Sequence, residues 1–153
     1  MALCCWRKII NPSAVLVHVP DVAKGLEWYK KAFPEAVPVY HPDFDFTALD
    51  LNGFSLEIVQ ADKKVGAGKS GTVVYWSVDN LRVALSHFEE LGACLYRGQM
   101  EIEDGLSMCQ VGDPFGNLMG CVGKTLSNKL ENTPLSTHAH EYTLLVACVN
   151  TWR

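Results

Sequence analysis

The same order of a short strand and a helix occurs twice in this sequence, and this internal repeat restricts the fold more than any other feature. The first copy runs from AVLVHVPD into VAKGLEWYKKAF, and the second runs from VVYWSVDN into LRVALSHFEELG. In both helical stretches apolar residues recur every three or four positions, which is the spacing of an amphipathic helix. One shift along the chain places Val19 on Val78 and Tyr29 on Phe88, so we interpret the two halves as copies of one unit.

Three further stretches with strand character follow each helix. They are AVPVYH, DFTALDL and FSLEIVQ in the first half, and ACLYRGQ, LSMCQVG and LMGCVG in the second. Turn signals such as Asn-Gly and DPFGN separate them. Each half therefore predicts a βαβββ module, and the chain as a whole is predicted to be an α+β protein.

The repeat also predicts how the chain is divided. We expect one domain over residues 1–123, with module one at about 13–62, a linker at 63–71 and module two at about 72–123. Residues 124–153 follow as a C-terminal extension of unknown role. Its apolar part could pack on the domain, cover a partner subunit or pair as an extra strand.

Composition excludes several classes of protein. A formal charge of −4 without a basic cluster argues against nucleic-acid binding. No apolar run reaches the ~18 residues of a membrane span, and the N-terminus lacks an export signal. The six cysteines are expected to be reduced thiols. We therefore expect a cytoplasmic protein that binds neither nucleic acid nor membrane.

The element order, the DPFGN turn before the last strand and the stretch WSVDNLRVALSHFEELGA resemble the vicinal-oxygen-chelate superfamily, which includes glyoxalases, bleomycin resistance proteins and extradiol dioxygenases. The resemblance covers roughly residues 13–123. It implies that each module curls into a mixed sheet and that paired modules enclose a cavity. It also implies dimers, and, in the metal-dependent members, a divalent cation held by one residue from the first and one from the last strand of each module.

Those four ligand positions fall here on Ala14, Glu57, Val73 and Gly120. Only Glu57 carries a donor atom, whereas a protein site for such an ion needs at least three donors at about 2.0–2.2 Å. We therefore expect no metal site, no cofactor and no catalytic residue, and the sequence favours a binding protein over an enzyme.

Alternation along the predicted strands selects candidate ligand-binding residues. Glu57 should point to the hollow side of its sheet, where a carboxylate is costly unless it is paired or hydrated. It could contact a ligand, or it could be a relict acid that is salt-bridged or solvated. His18 shares a face with Ala14 and could orient a ligand or act as a base, or it could simply be satisfied by a backbone carbonyl. The remaining candidates are the aromatic, hydroxyl and thioether side chains of Tyr75, Ser77, Phe46, Tyr96 and Met108.

These features predict a metal-independent small-molecule-binding protein of the bleomycin-resistance type, a homodimer that sequesters an aromatic or cationic ligand. One alternative is a metal-dependent lyase or isomerase of the glyoxalase kind that uses Glu57. A second alternative is an interaction module whose cavity is filled by its own side chains.

Overall fold

The structure is a computed structural model that describes residues 12–125. The chain forms two compact units with their boundary between Lys69 and Ser70, and Phe115–Asn117 belongs to the first unit. The elements of the first unit are β1 Ala14–Val19, α1 Val22–Ala32, β2 Val37–His41, β3 Phe46–Leu51 and β4 Phe54–Gln60. Those of the second unit are β5 Tyr75–Asn80, α2 Leu81–Glu90, β6 Cys94–Glu101, β7 Leu106–Gly112 and β8 Leu118–Lys124.

The two sheets have the same topology. The first has the strand order β1-β4-β3-β2 and the second has the order β5-β8-β7-β6. In each sheet the module's first strand pairs in parallel with its last, and the other neighbours are antiparallel. The predicted α+β fold with two βαβββ modules is confirmed.

One face of the first sheet carries α1. Alternate residues of β1, β3 and β4 point toward the helix, and Val19, Leu49, Leu56 and Ile58 are buried there. Tyr29 is the main buried side chain contributed by α1. The helix begins after Asp21, whose Oδ1 accepts a hydrogen bond from the Lys24 backbone N–H at 3.1 Å. Pro34, which cannot continue a helix, follows its end.

The second unit repeats this arrangement. Asn80 caps α2 by accepting hydrogen bonds from the backbone N–H groups of Arg82 at 3.1 Å and Val83 at 3.3 Å. The core beneath the helix is formed by Leu81, Phe88, Cys109, Val111, Met119 and Cys121. The sheet face that carries the helix is thus closed in both units.

The described cysteines differ in oxidation state. Cys109 and Cys121 are free and buried, as expected, but Cys94 is disulfide-bonded. This corrects the expectation that all six cysteines are reduced.

The predicted domain limits and the extension at 124–153 stay predictions, because residues 126–153 lie outside the described part of the chain. No helix within residues 12–125 is long and apolar enough to cross a membrane.

Candidate ligand-binding surfaces

Within residues 12–125, no helix of the first unit packs on the face of the first sheet opposite α1. We call it the first open face, and it consists of alternate residues of the four strands. Leu16 of β1, Glu57 of β4 and Ala48 of β3 lie directly opposite one another in the strand pairing. Leu16 is 51% exposed although it is aliphatic. This face is therefore mixed, with an exposed aliphatic side chain beside a carboxylate.

Glu57 is half-buried at the centre of this face. Its Oε1 accepts a hydrogen bond from Ser55 Oγ at 3.1 Å. The neighbouring side chains across the sheet, Leu16 and Ala48, offer no hydrogen-bond donor. A half-buried carboxylate whose hydrogen-bond partner within residues 12–125 is a neutral hydroxyl can attract a cation or accept from a further hydrogen-bond donor.

His18 and Phe46 lie on the same face as Glu57. His18 is half-buried and pairs with Val59 of β4. Its backbone carbonyl accepts a hydrogen bond from Asn117 Nδ2 at 3.1 Å, which anchors the end of β1. Phe46 is half-buried and stacks on the ring of His41, with centroids 6.2 Å apart. The structure therefore brings three predicted site residues, Glu57, His18 and Phe46, onto one surface.

The side chain of His18 also has an electrostatic neighbour. The backbone N–H groups of Val65 and Lys64 hold the pKa of Asp62 below its usual value, and His18 adds a smaller effect in the same direction. Both N–H groups lie 2.7 Å from Asp62 Oδ1. His18 thus lies on the first open face and has the Asp62 carboxylate in its surroundings.

The second sheet has a corresponding second open face, opposite α2. Tyr75, Ser77 and Met108 lie on it, which brings together the remaining predicted residues except Tyr96. Tyr75 is 37% exposed, and its hydroxyl oxygen accepts a hydrogen bond from Gln110 Nε2 at 2.7 Å. In the strand pairing, Val122 of β8 lies between Met108 of β7 and Ser77 of β5. This face is therefore mixed, with polar groups at Tyr75 and Gln110 and apolar groups beside them.

Gly120 is the counterpart of Glu57 in the strand pairing, because Tyr75 pairs with Gly120 as Leu16 pairs with Glu57. The ring of Tyr75 covers this glycine. A Cβ added to Gly120 would lie 2.6 Å from Tyr75 Cε1 and closer to two other ring atoms. No side chain fits at this position while the ring stays where it is.

The residues present therefore do not fit the divalent cation that the resembled superfamily implies. Ala14 begins β1 and is exposed, and Val73 lies before the start of β5 at Tyr75. Methyl and isopropyl groups donate no electron pair to a metal. Within residues 12–125 no three His, Cys, Asp or Glu side chains are grouped so that they could hold a metal ion.

Tyr96 of β6 is the remaining candidate, and the irregular strand pairing around it does not assign it to a face. It is 48% exposed on the edge strand β6, between Leu95 and Arg97, where the register with β7 shifts.

The sequence analysis did not select Gln110 and Arg97. Gln110 alternates with Met108 in LSMCQVG, and this spacing places it on the same face. A surface depression on the outer side of α2, lined by Arg82, Val83, Ser86, His87 and Glu90, contains none of the predicted residues.

Comparison with solved structures shows the same fold in proteins of low sequence identity. The fosfomycin resistance protein FosX from Listeria monocytogenes matches with a TM-score of 0.62 and 15% identity, over 78% of this chain and 97% of that one. A glyoxalase-related enzyme from Fulvimarina pelagi matches with a TM-score of 0.61 and 14% identity, over 84% and 100%. A glyoxalase/bleomycin resistance protein/dioxygenase family enzyme from Burkholderia phytofirmans PsJN matches with a TM-score of 0.58 and 15% identity, over 72% and 96%.

No family model matches this chain, and no curated protein sequence matches it. The structural matches nevertheless identify its architecture. The chain has the same fold as these glyoxalase-related and fosfomycin resistance proteins, and this is the fold that the sequence resemblance predicted.

Proposed function

We propose that this chain is a metal-independent small-molecule-binding protein of the bleomycin-resistance type, which sequesters an aromatic or cationic ligand. The observation that carries the proposal is the environment of Glu57. This carboxylate lies half-buried among apolar side chains of the first open face, with Ser55 as its hydrogen-bond partner. A cation bound there would pair with this carboxylate in surroundings that are partly shielded from water.

The surroundings of Glu57 support a ligand with an apolar body. Leu16 is exposed beside the carboxylate, and Phe46 lies on the same face. Apolar and aromatic side chains around a few polar groups are typical of small-molecule sites. An aromatic cation would bury its ring against Leu16 and Phe46 and place its charge near Glu57.

Metal independence is supported by the second open face. The Tyr75 ring occupies the space above Gly120 that an acidic ligand of a metal would need. Sequestration does not require a metal, because burial of apolar surface and one charge interaction supply the binding free energy.

The test is calorimetric titration of the full chain with benzyltrimethylammonium, compared with the neutral benzyl alcohol. We expect saturable binding of the cation and weaker binding of the alcohol. Glu57→Gln should weaken cation binding about tenfold or more, since a hydrogen bond or contact to a charged group contributes roughly 1.5–3 kcal/mol. Glu35→Gln, which removes the same charge from an exposed position, should leave binding unchanged. Equal affinity of the wild type and Glu57→Gln would contradict the proposal.

A second measurement addresses the metal-dependent alternative. Protein purified without chelator is analysed for nickel, zinc, iron and manganese, and its Tm is measured with and without EDTA. We expect no stoichiometric metal and no change of Tm. Stoichiometric metal that is lost in Glu57→Gln would instead support a lyase or isomerase that uses this acid. If neither benzyltrimethylammonium nor benzyl alcohol binds in the calorimetric titration, the interaction module is favoured.

A further inference from the structure

We infer that the second open face contains an oxyanion-binding site formed by Arg97, Gln110 and Tyr75, which takes a ligand with a carboxylate or phosphate group. The inference goes beyond the proposed function, because the site lies in the second unit and takes a ligand of the opposite charge. It depends on a juxtaposition within the second unit of three side chains from three different strands.

The three residues lie in one row across the second sheet. Arg97 of β6 pairs with Gln110 of β7, Gln110 pairs with Gly120 of β8, and Gly120 pairs with Tyr75 of β5. Residues directly opposite one another in a regular ladder project from the same face. Arg97 lies between two register shifts of β6, and its pairing with Gln110 places it beside that residue. Gly120 contributes no side chain, and the Tyr75 ring extends over it toward Gln110.

This geometry leaves hydrogen-bond donors available to a ligand. Gln110 Nε2 donates to the Tyr75 hydroxyl oxygen at 2.7 Å, so the phenolic O–H remains able to donate to a third group. The Gln110 amide has a second N–H as well. Arg97 is exposed, and within residues 12–125 its guanidinium forms neither an ion pair nor a side-chain hydrogen bond.

Phenol, amide and guanidinium donors in one row are suited to an anion with two or three oxygens. A guanidinium binds such a group through two parallel N–H bonds, and charge-assisted hydrogen bonds are about twice as strong as neutral ones. The row itself contains no carboxylate that would compete. Met108 and Met100, which pair with each other beside the row, supply adaptable apolar contacts for the rest of the ligand.

The experiment follows backbone amide signals of the isotope-labelled full chain by NMR during titration with benzoate, phenyl phosphate and benzyl alcohol. We expect saturable shifts at Arg97, Gln110 and Gly120 with the two anions, and none with the alcohol. Saturable binding of either anion supports the site. The anion with the lower Kd shows whether a carboxylate or a phosphate is the better ligand group.

Variants separate the site from general charge effects. Arg97→Gln should weaken anion binding about tenfold or more, whereas Arg82→Gln removes the same charge from the exposed surface of α2 and should leave it unchanged. Tyr75→Phe keeps the ring over Gly120 but removes the donor, and should also weaken the anions. Circular dichroism confirms that each variant is folded.

Two results would overturn the inference. One is the absence of saturable shifts with both anions, and the other is equal affinity of Arg97→Gln and Arg82→Gln. If the cation still binds at Glu57 while neither anion binds, the inference alone fails. If neither class of probe binds, the proposed function fails with it.

Discussion

The ring of Tyr75 lies directly over Gly120, and the two residues stand in the second module where Leu16 and Glu57 stand in the first. Both pairs join the first strand of a module to its last strand in the same parallel register. An aliphatic residue beside an acid in one module thus corresponds to an aromatic residue over a glycine in the other. Glycine leaves the space that an adjacent aromatic ring fills, and such pairs stabilise glycine positions in sheets.

Gly120→Ala should destabilise the protein by about 1–3 kcal/mol, because the new Cβ overlaps the Tyr75 ring and forces it away. In the double variant Tyr75→Ala/Gly120→Ala the overlap is gone, and the coupling free energy should be about 0.5–3 kcal/mol. Urea denaturation of the four proteins measures this cycle. Gly98→Ala, where an added Cβ meets no atom within 4 Å, is the matched control and should change stability little. Zero coupling between Tyr75 and Gly120 would show that the ring does not occupy this space.

Glu57→Leu should raise the free energy of unfolding by about 0.5–2 kcal/mol while it abolishes binding of the cationic probe. The reason is that leucine has no desolvation cost beside Leu16 and Ala48, whereas the half-buried carboxylate has one. Glu35→Leu, at an exposed position, should stay within about ±0.5 kcal/mol of the wild type. Thermal and urea unfolding give both values. A loss of stability in Glu57→Leu would mean that the acid serves the fold and not a ligand.

Gly25→Ala should destabilise α1 packing by about 1–3 kcal/mol, although alanine is intrinsically the better helix former by about 1 kcal/mol. A Cβ at Gly25 would lie 2.8 Å from Ile58 Cγ2 and 2.8 Å from Val19 Cγ2, so the helix approaches the sheet too closely for it. The second module has Ala84 at the matching helix position. Ala84→Gly should cost only the difference in helix propensity, and unfolding measurements compare the two. A more stable Gly25→Ala protein would contradict the close approach.

Asp21 should give stability a pH dependence that its counterpart Asn80 does not. The backbone N–H of Lys24, and secondly its ammonium group, hold the pKa of Asp21 below the usual value. Because the folded-state pKa is depressed, this contribution is complete above the unfolded pKa of about 3.9 and is lost as pH falls through the folded pKa.

Asp21→Asn keeps a capping oxygen and does not titrate. When pH is lowered from about 7 to about 2.5, its Tm should therefore fall less than the Tm of the wild type. At pH 7, Asp21→Ala should lower Tm by a few degrees because the cap is lost. If the difference in Tm between Asp21→Asn and the wild type were the same at both pH values, the ionised cap would contribute nothing.

Local patterns in the sequence were sufficient for the fold and for part of the candidate site. The helices begin at Val22 and Leu81, where the helical periodicity of the sequence starts, because this signal depends on residues within a few turns of one another. Alternation placed Glu57 and His18 on the hollow side of the predicted sheet, since successive strand residues point to opposite sides. The absence of donors at Ala14, Val73 and Gly120 is likewise a property of residue type alone.

Pairings between strands that are distant in the chain depended on the tertiary structure. Periodicity cannot tell which residue of β6 lies opposite Gln110, because the register shifts near Arg97 and a shift of this kind changes every later pairing. Nor does a glycine in a strand reveal which side chain covers it.

The sequence by itself therefore determined two βαβββ modules and a single acid where a metal would need several donors. Only strand pairing decided that Tyr75 covers the position of the missing acid and that Arg97 joins Gln110 beside it. The physical reason is that secondary structure arises from nearest neighbours along the chain, whereas a binding surface arises from residues that the sheet brings together from far apart.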